Sequence, residues 1–282
     1  MTLATADAAL IEEAPAKLNL ALHVRARRAD GYHQLETLFA FCRDGDRLAI
    51  ARAEAASFAV DGPFAGALAG EGDNLVLRAV RAFDEVFGGV GPLAITLTKR
   101  LPVASGVGGG SADAAAALRI LARMASVEGD PRLIEIAARL GSDVPACLLG
   151  RAALGRGRGE ALTPVAGLAP WPVLLINPGV PVSTGPVFAG WDGVDRGPLG
   201  AGNPLGAALV GRNDLEAPAR RLAPVIDDVL AALAATRPLL ARMSGSGATC
   251  FALFESAEAR SAAAQAIRSR HPAWWCFETA LA

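Results

Sequence analysis

Between residues 17 and 27 apolar and polar positions alternate, with Leu18, Leu20, Leu22 and Val24 on one side and Lys17, Asn19, His23 and Arg25 on the other. Side chains repeat with a period of two along an extended chain, so the pattern predicts a half-buried strand from which Lys17 and Asn19 project together. Asp30-Gly31 then signals a turn. The period lengthens to that of a helix at Val76, Val80, Phe83 and Phe87, with Asp73 expected as its N-cap. A strand over residues 93–98, a glycine-rich stretch over 101–111 and an alanine-rich helix with Ala114, Leu118 and Leu121 on one face follow. A second helix runs from Pro131 to Leu140 and stops at Gly141. The later half reads as a strand over 173–177, helices over 214–222 and 225–235, a strand, a helix over 257–270 and a last strand. Such alternation argues for an α+β or α/β layered sandwich. The Gly155-Arg156-Gly157-Arg158-Gly159 tract, near the middle of the chain, is the expected domain junction.

The length of 282 residues suits two domains. With 27 Lys+Arg against 28 Asp+Glu the net charge is -1, so there is no broad positive field to hold a nucleic acid. The mean hydropathy of +0.34 and the uncharged run 161–191 raise the question of a membrane span. Pro164, Pro170, Pro172, Pro178, Pro181 and Pro186 answer it, because a lipid-exposed helix cannot leave that many backbone groups unpaired; the run is expected to be a strand with proline-rich flanks. Residues 1–14 carry three carboxylates and no basic stretch ahead of an apolar core, so a cytoplasmic location is expected. Cys42, Cys147, Cys250 and Cys276 form no metal-ligand spacing and read as reduced, buried thiols.

Three segments carry chemistry. In Gly106-Val107-Gly108-Gly109-Gly110-Ser111 the glycines let backbone amides approach an anion, and the helix that begins directly afterwards adds aligned N–H donors. Phosphate is the natural ligand; a flexible loop is the alternative. The segment is not a Walker A loop, which would need Lys-Ser or Lys-Thr next. Gly141-Ser142-Asp143-Val144-Pro145 offers a carboxylate that either caps a helix or, with a strand lysine, serves phosphoryl transfer to an alcohol. Met243-Ser244-Gly245-Ser246-Gly247-Ala248-Thr249 is either a plain hairpin turn or a second wrap for phosphates.

Together these residues resemble the family of galactokinase, homoserine kinase, mevalonate kinase and phosphomevalonate kinase. The resemblance spans nearly the whole chain and keeps the family's motif order: Pro15-Ala16-Lys17-Leu18-Asn19, then residues 102–115, then residues 244–248. The first motif, together with Arg28-Ala29-Asp30-Gly31-Tyr32-His33 and the Asp143 segment, is similar to the branch whose alcohol substrate carries a cytidine diphosphate group and serves the non-mevalonate route to isoprenoids.

The resemblance implies an α+β fold of two domains, a ribosomal protein S5 domain 2-like N-terminal domain over residues 1–157 that binds ATP and a ferredoxin-like sandwich over 158–282, with the active site between them. It implies ATP and Mg2+ as cofactors, Asp143 as general base and Lys17 as its electrostatic partner. ATP phosphates fall to Pro102, Val103, Ala104, Ser105, Gly106, Val107, Gly108, Gly109, Gly110, Ser111 and Ala112, and the adenosine side to Asn74 and Lys99. Substrate contacts fall to Asn19, Tyr32, His33, Thr184 and Phe188, and the second glycine loop to Ser244, Gly245, Ser246 and Gly247. Tyr32 is the one tyrosine of the chain and follows a turn, so an exposed position is expected over a core one.

Two departures stand out. Ala112 replaces a second serine, leaving Ser111 as the possible magnesium ligand, and Val107 replaces a common leucine. A homoserine- or mevalonate-type kinase, or a non-catalytic nucleotide- or RNA-binding module, are the competing readings. The partner expected is a small molecule with no nucleic acid and no membrane, and the chain itself a monomer or homodimer.

Overall fold

The computed structural model describes residues 8–68, 73–168, 170–200 and 202–282; the first seven residues of the N-terminal reading therefore lie outside the described ones. In chain order the elements are β1 (Leu10–Arg27), β2 (His33–Arg52), β3 (Ser57–Asp61), α1 (Leu75–Phe87), β4 (Leu93–Thr98), α2 (Gly109–Ala125), α3 (Arg132–Leu140), α4 (Val144–Leu149), β5 (Ala153–Gly157), β6 (Ala161–Pro164), β7 (Pro172–Asn177), α5 (Thr184–Ala189), α6 (Pro204–Val210), α7 (Glu216–Leu222), α8 (Val225–Ala234), β8 (Leu240–Met243), β9 (Cys250–Leu253), α9 (Ala257–Arg270) and β10 (Trp275–Ala280). The arrangement is α+β, as expected. The chain divides into two compact units whose segments interleave. The first takes the described residues up to Ala16 with Asp44–Val103 and Gly109–Leu149, and the second takes Lys17–Arg43, Ala104–Gly108 and Gly150–Ala282.

In the first unit β4 lies between β3, which it pairs in parallel, and the later half of β2, which it pairs antiparallel from Arg47↔Thr98 to Arg52↔Leu93. Helix α2 is almost wholly buried, from Ala112 through Ala122 apart from Arg119. Alanine suits that position, because a small side chain lets neighbouring helices approach closely at no rotamer cost. The N-cap of α1 is Asn74 and not Asp73: the extended backbone of Asn74 brings its Oδ1 within 3.0 and 3.1 Å of the Val76 and Leu77 amides. Asp73, one residue earlier, pairs with Arg81 instead.

In the second unit the start of β2 pairs antiparallel with β5, and β5 with β6. The Gly155–Gly159 tract is thus the end of a strand and the turn that follows it. A separate antiparallel sheet runs in the order β10-β7-β9-β8. Leu174 and Ile176 of β7 pack there with Ile226, Val229 and Leu233 of α8 and Ala263, Ala264 and Ile267 of α9. Each of the buried Leu, Ile and Val side chains contributes about 1.5–3 kcal/mol. The uncharged run contains β6, β7 and α5. No helix among the described residues is long and apolar enough to cross a membrane. Cys42, Cys147 and Cys250 are buried thiols, while Cys276 is only half-buried.

Strand β1 departs from the expected half-exposed pattern. It begins seven residues before Lys17, and residues 16–24 are buried on both faces, including Lys17, Asn19 and His23. The polar face of the alternation is therefore an interior one, whose groups need partners.

Candidate active site

In the second unit, those partners lead directly to two glycine loops. The Lys17 ammonium donates to Asn19 Oδ1 at 2.9 Å and lies 5.3 Å from the centre of the Phe39 ring. Asn19 Nδ2 donates to Thr37 Oγ1 at 2.7 Å, and that hydroxyl donates to the Ala21 carbonyl at 2.8 Å. The shared face forecast for Lys17 and Asn19 is thus a hydrogen-bonded pair. The Asn19 amide donates to Ser244 Oγ at 3.2 Å, and the same hydroxyl donates to the Gly106 carbonyl at 3.0 Å. The Lys17 amide donates to Val107 O at 2.8 Å, and the Thr249 amide to Ser105 O at 3.1 Å.

Residues 244–249 join β8 to β9, so the hairpin reading holds, and the loop also rests against residues 105–106. A Cβ on Gly106 would stand 2.4 Å from Ser244 O and 2.9 Å from the Gly247 amide, and its φ of +82° already disfavours a side chain. Asn213 ties the loop down from behind, donating at 2.8 Å to both Met243 O and Gly245 O. Gly106 and Gly108, both at positive φ, with Ala104 also left-handed, curl the chain so that the helix starts at Gly109.

The first unit holds Pro102, Val103 and the other end of the glycine tract, Gly109, Gly110, Ser111 and Ala112, as the opening of α2. Ser111 is half-buried in that first turn, and Ala112 is buried. Lys99 sits at only 2% exposure, its ammonium donating to Asp113 Oδ2 at 2.7 Å and also to Asp46. Burial pushes the Asp113 carboxyl up to about 7, with Lys99 opposing and Asp46 reinforcing the shift. Burial lowers Lys99, but Asp113 and Asp46 outweigh it and the ammonium titrates above its ordinary value. The Lys99 side chain is thus engaged by carboxylates, and Asn74 spends its oxygen on the α1 cap while its buried Nδ2 has no partner. Asp143 is half-buried in the turn before α4, its carbonyl accepting from the Cys147 amide at 3.0 Å.

Back in the second unit, an aromatic group forms around His33. Its ring centre is 5.1 Å from that of Phe188 and 5.7 Å from that of Trp191, the latter edge-on. His33 Nε2 and Trp191 Nε1 are buried atoms with no hydrogen-bond partner. Burial first, and the Arg27 charge second, hold the His33 pKa below its usual value, so the imidazole is neutral and keeps one donor and one acceptor. Tyr32 is 54% exposed, in line with the turn argument, and the Arg158 guanidinium lies 4.9 Å from its ring centre. Thr184 Oγ1 and Ser246 Oγ are 3.0 Å apart, which brings the exposed start of α5 to the second glycine loop.

The residue pattern missed Asp46, Asp113, Thr37, Trp191, Arg158 and Asn213. Asp113 was detectable as a lone carboxylate inside an alanine-rich helix, and Trp191 as an aromatic three residues after Phe188. Nothing local marks Asp46, whose partners are more than fifty residues away.

The model of the GHMP kinase N-terminal domain matches residues 74–151, and that of the C-terminal domain matches 195–273. A 4-diphosphocytidyl-2-C-methyl-D-erythritol kinase of Sphingopyxis alaskensis is 53% identical over 98% of this chain and 99% of its own. The chain belongs to the GHMP kinase family. Within it, a relative of the same name from Rhizorhabdus wittichii is 57% identical over 94% of this chain and 92% of its own. A solved 4-(cytidine 5'-diphospho)-2C-methyl-D-erythritol kinase is 37% identical, with a TM-score of 0.81 over 96% of this chain and 99% of that one. The homoserine kinase of Cytophaga hutchinsonii, 18% identical with a TM-score of 0.71 over 100% of this chain and 97% of its own, shares the fold. This GHMP kinase is accordingly an ATP-dependent phosphotransferase of the 4-diphosphocytidyl-2-C-methyl-D-erythritol kinase branch, with the expected α+β fold. The two matched ranges fall on either side of residue 157.

Proposed function

We propose that the chain transfers the γ-phosphate of ATP to the 2-hydroxyl of 4-diphosphocytidyl-2-C-methyl-D-erythritol, giving ADP and the 2-phosphate, as a step of non-mevalonate isoprenoid synthesis in the cytoplasm. The carrying observation is the unpartnered Nε2 of His33, buried beside Phe188. A buried polar atom left unsatisfied beside an aromatic face suits a ligand that brings both a hydrogen-bonding edge and a π-face, and a nucleobase brings both. Tyr32, exposed and backed by Arg158, offers a further ring to that base.

The phosphates fall to residues 102–112, where backbone amides and the α2 N-terminus supply positive potential. Mg2+ fits as a cation that arrives with the nucleotide: no three-membered acidic or histidine cluster occurs among the described residues, and Ser111 in the first turn of α2 supplies a single hydroxyl. Bound there, the ion would neutralise charge shared between the β- and γ-phosphates. Asp143 takes the proton of the 2-hydroxyl as its oxygen attacks phosphorus, and the Lys17 ammonium, oriented by Asn19, stabilises the charge that grows in the transition state. Residues 1–157 carry the ATP side and 158–282 the later half of the substrate side, in a monomer or homodimer.

A coupled ADP-release assay on a panel of alcohols tests this. Turnover should require the cytidine diphosphate group. Equal turnover of homoserine or mevalonate would sink the assignment.

A further inference from the structure

The three charges beneath the start of α2 do more than a structural ion pair needs. Lys99, Asp46 and Asp113 are each 2% exposed or less. Asp46 Oδ1 accepts the Arg100 and Leu101 amides at 2.5 and 2.8 Å, which fixes that carboxylate to the chain leading into the glycine tract. Its Oδ2 and the Asp113 Oδ2 hold the ammonium from two sides. Burying three charges seldom stabilises a fold more than apolar side chains of the same shape would, so their presence calls for another reason.

Gly109 supplies one. A Cβ at this first residue of α2 would lie 3.0 Å from Lys99 Nζ and 3.4 Å from Asp46 Oδ2. A lysine tip usually swings aside from such a contact. This one is gripped by two carboxylates, one of them locked to two backbone amides, so the helix start must accommodate the ammonium instead.

We infer that Lys99, Asp46 and Asp113 form a positioning cluster that sets where α2 begins, and with it the aim of the Gly109, Gly110 and Ser111 amides at the nucleotide phosphates. This rests on the ATP reading above. Lys99 acts through Gly109 and need not touch adenosine. The ammonium also balances the Asp46 carboxylate, which would otherwise repel an incoming phosphate from below the loop.

The test is calorimetric titration of Mg-ATP into Lys99→Met, the Lys99→Met/Asp46→Asn double variant and Gly109→Ala, beside steady-state kinetics and thermal melts. Lys99→Met should weaken ATP binding by about tenfold or more and leave KM for the alcohol within about twofold, since only one site is displaced. Without the ammonium the Asp113 carboxyl takes up a proton, so the charge left behind is that of Asp46. Removing it with Asn, which keeps the Oδ1 acceptor, should recover at least about threefold of that loss in ATP affinity, compared between variants whose thermal melts agree. Gly109→Ala should weaken ATP by about tenfold in a normally folded protein, and it decides the matter if Lys99→Met does not fold. ATP affinity within about twofold of wild type in the folded single variants would overturn the cluster, and a double variant no better than Lys99→Met would overturn its charge balance. Wild-type protein that binds no ATP would instead bring down the kinase reading and this inference together.

Discussion

The two ends of the glycine tract are anchored by different physics. Residues 104–108, in the second unit, are held by neutral groups: the Ser244 hydroxyl, the amides of Lys17 and Thr249, and the backbone of residues 244–247 packed against Gly106. The start of α2, in the first unit, is held by one buried ammonium between two buried carboxylates. The neutral anchor is short-range and steric, so it should be intolerant of added volume and indifferent to charge. The ionic anchor should yield to small changes of shape and fail when a charge loses its counterpart.

Neither anchor is assigned a proton to move, so the sharpest separation of binding from chemistry lies at Asp143. Asp143→Asn should lower kcat by about 10²–10⁴ with KM changed only a few-fold. Adding Lys17→Met should leave the double variant scarcely worse than the poorer single one, as coupled groups behave. A near-normal kcat in Asp143→Asn would make that residue a helix cap alone. Next in size is the steric anchor. Gly106→Ala should weaken ATP binding by about 10² or more, an order of magnitude beyond Gly109→Ala, because the obstacle is backbone at 2.4 Å rather than a side-chain tip at 3.0 Å. Calorimetry on the two variants compares the anchors directly, and a reversed order would break the distinction.

The second unit also carries the aromatic group, where neutrality has its own consequence. A uridine analogue reverses the donor and acceptor pattern presented to His33 and should lose about 10²-fold in kcat/KM, corresponding to roughly 3 kcal/mol of unpaired groups. Equal turnover would remove the base-edge role. Ser244→Ala deletes one accepted and one donated bond and should destabilise the protein by about 1–3 kcal/mol, read as a lower Tm in scanning calorimetry.

The smallest effect concerns pH. Burial, then Arg212, lowers the His23 pKa below its ordinary 6.5, against opposing contributions from Gly197, Asp214 and Glu36. Because the folded value lies below the unfolded one, protonation favours unfolding. The contribution is complete above about pH 6.5 and is lost as pH falls through the folded pKa, so Tm should drop toward about pH 5. His23→Asn should flatten that slope; an unchanged slope would place it elsewhere.

Much of the site was legible because its residues sit in runs with a local physical signature. Gly106–Ser111 announces tight backbone and a helix start whatever surrounds it, and Tyr32 after Asp30-Gly31 announces exposure. The first strand departs from its pattern for a related reason. Alternation distinguishes two faces but not whether the polar one meets solvent, and here Asn19 finds Thr37 and Ser244 instead. Helical spacing points to Asp73 as the cap of α1, but Asn74 takes that role: both residue types cap well, and only backbone conformation decides between neighbours.

By itself the order of residues determined the α+β alternation, the position of the glycine tract at a helix start and the pairing of Lys17 with Asn19 on one face. Each depends on periodicity or on conformational freedom that a few consecutive residues express. Only the tertiary structure decided that Lys99 lies between Asp46 and Asp113, that Ser244 meets Gly106, and that His33 has an orphaned nitrogen beside Phe188. These are contacts between positions from fourteen to more than one hundred and fifty residues apart, and partners at that separation are chosen by packing and by the need to satisfy buried polar groups, which no local pattern records.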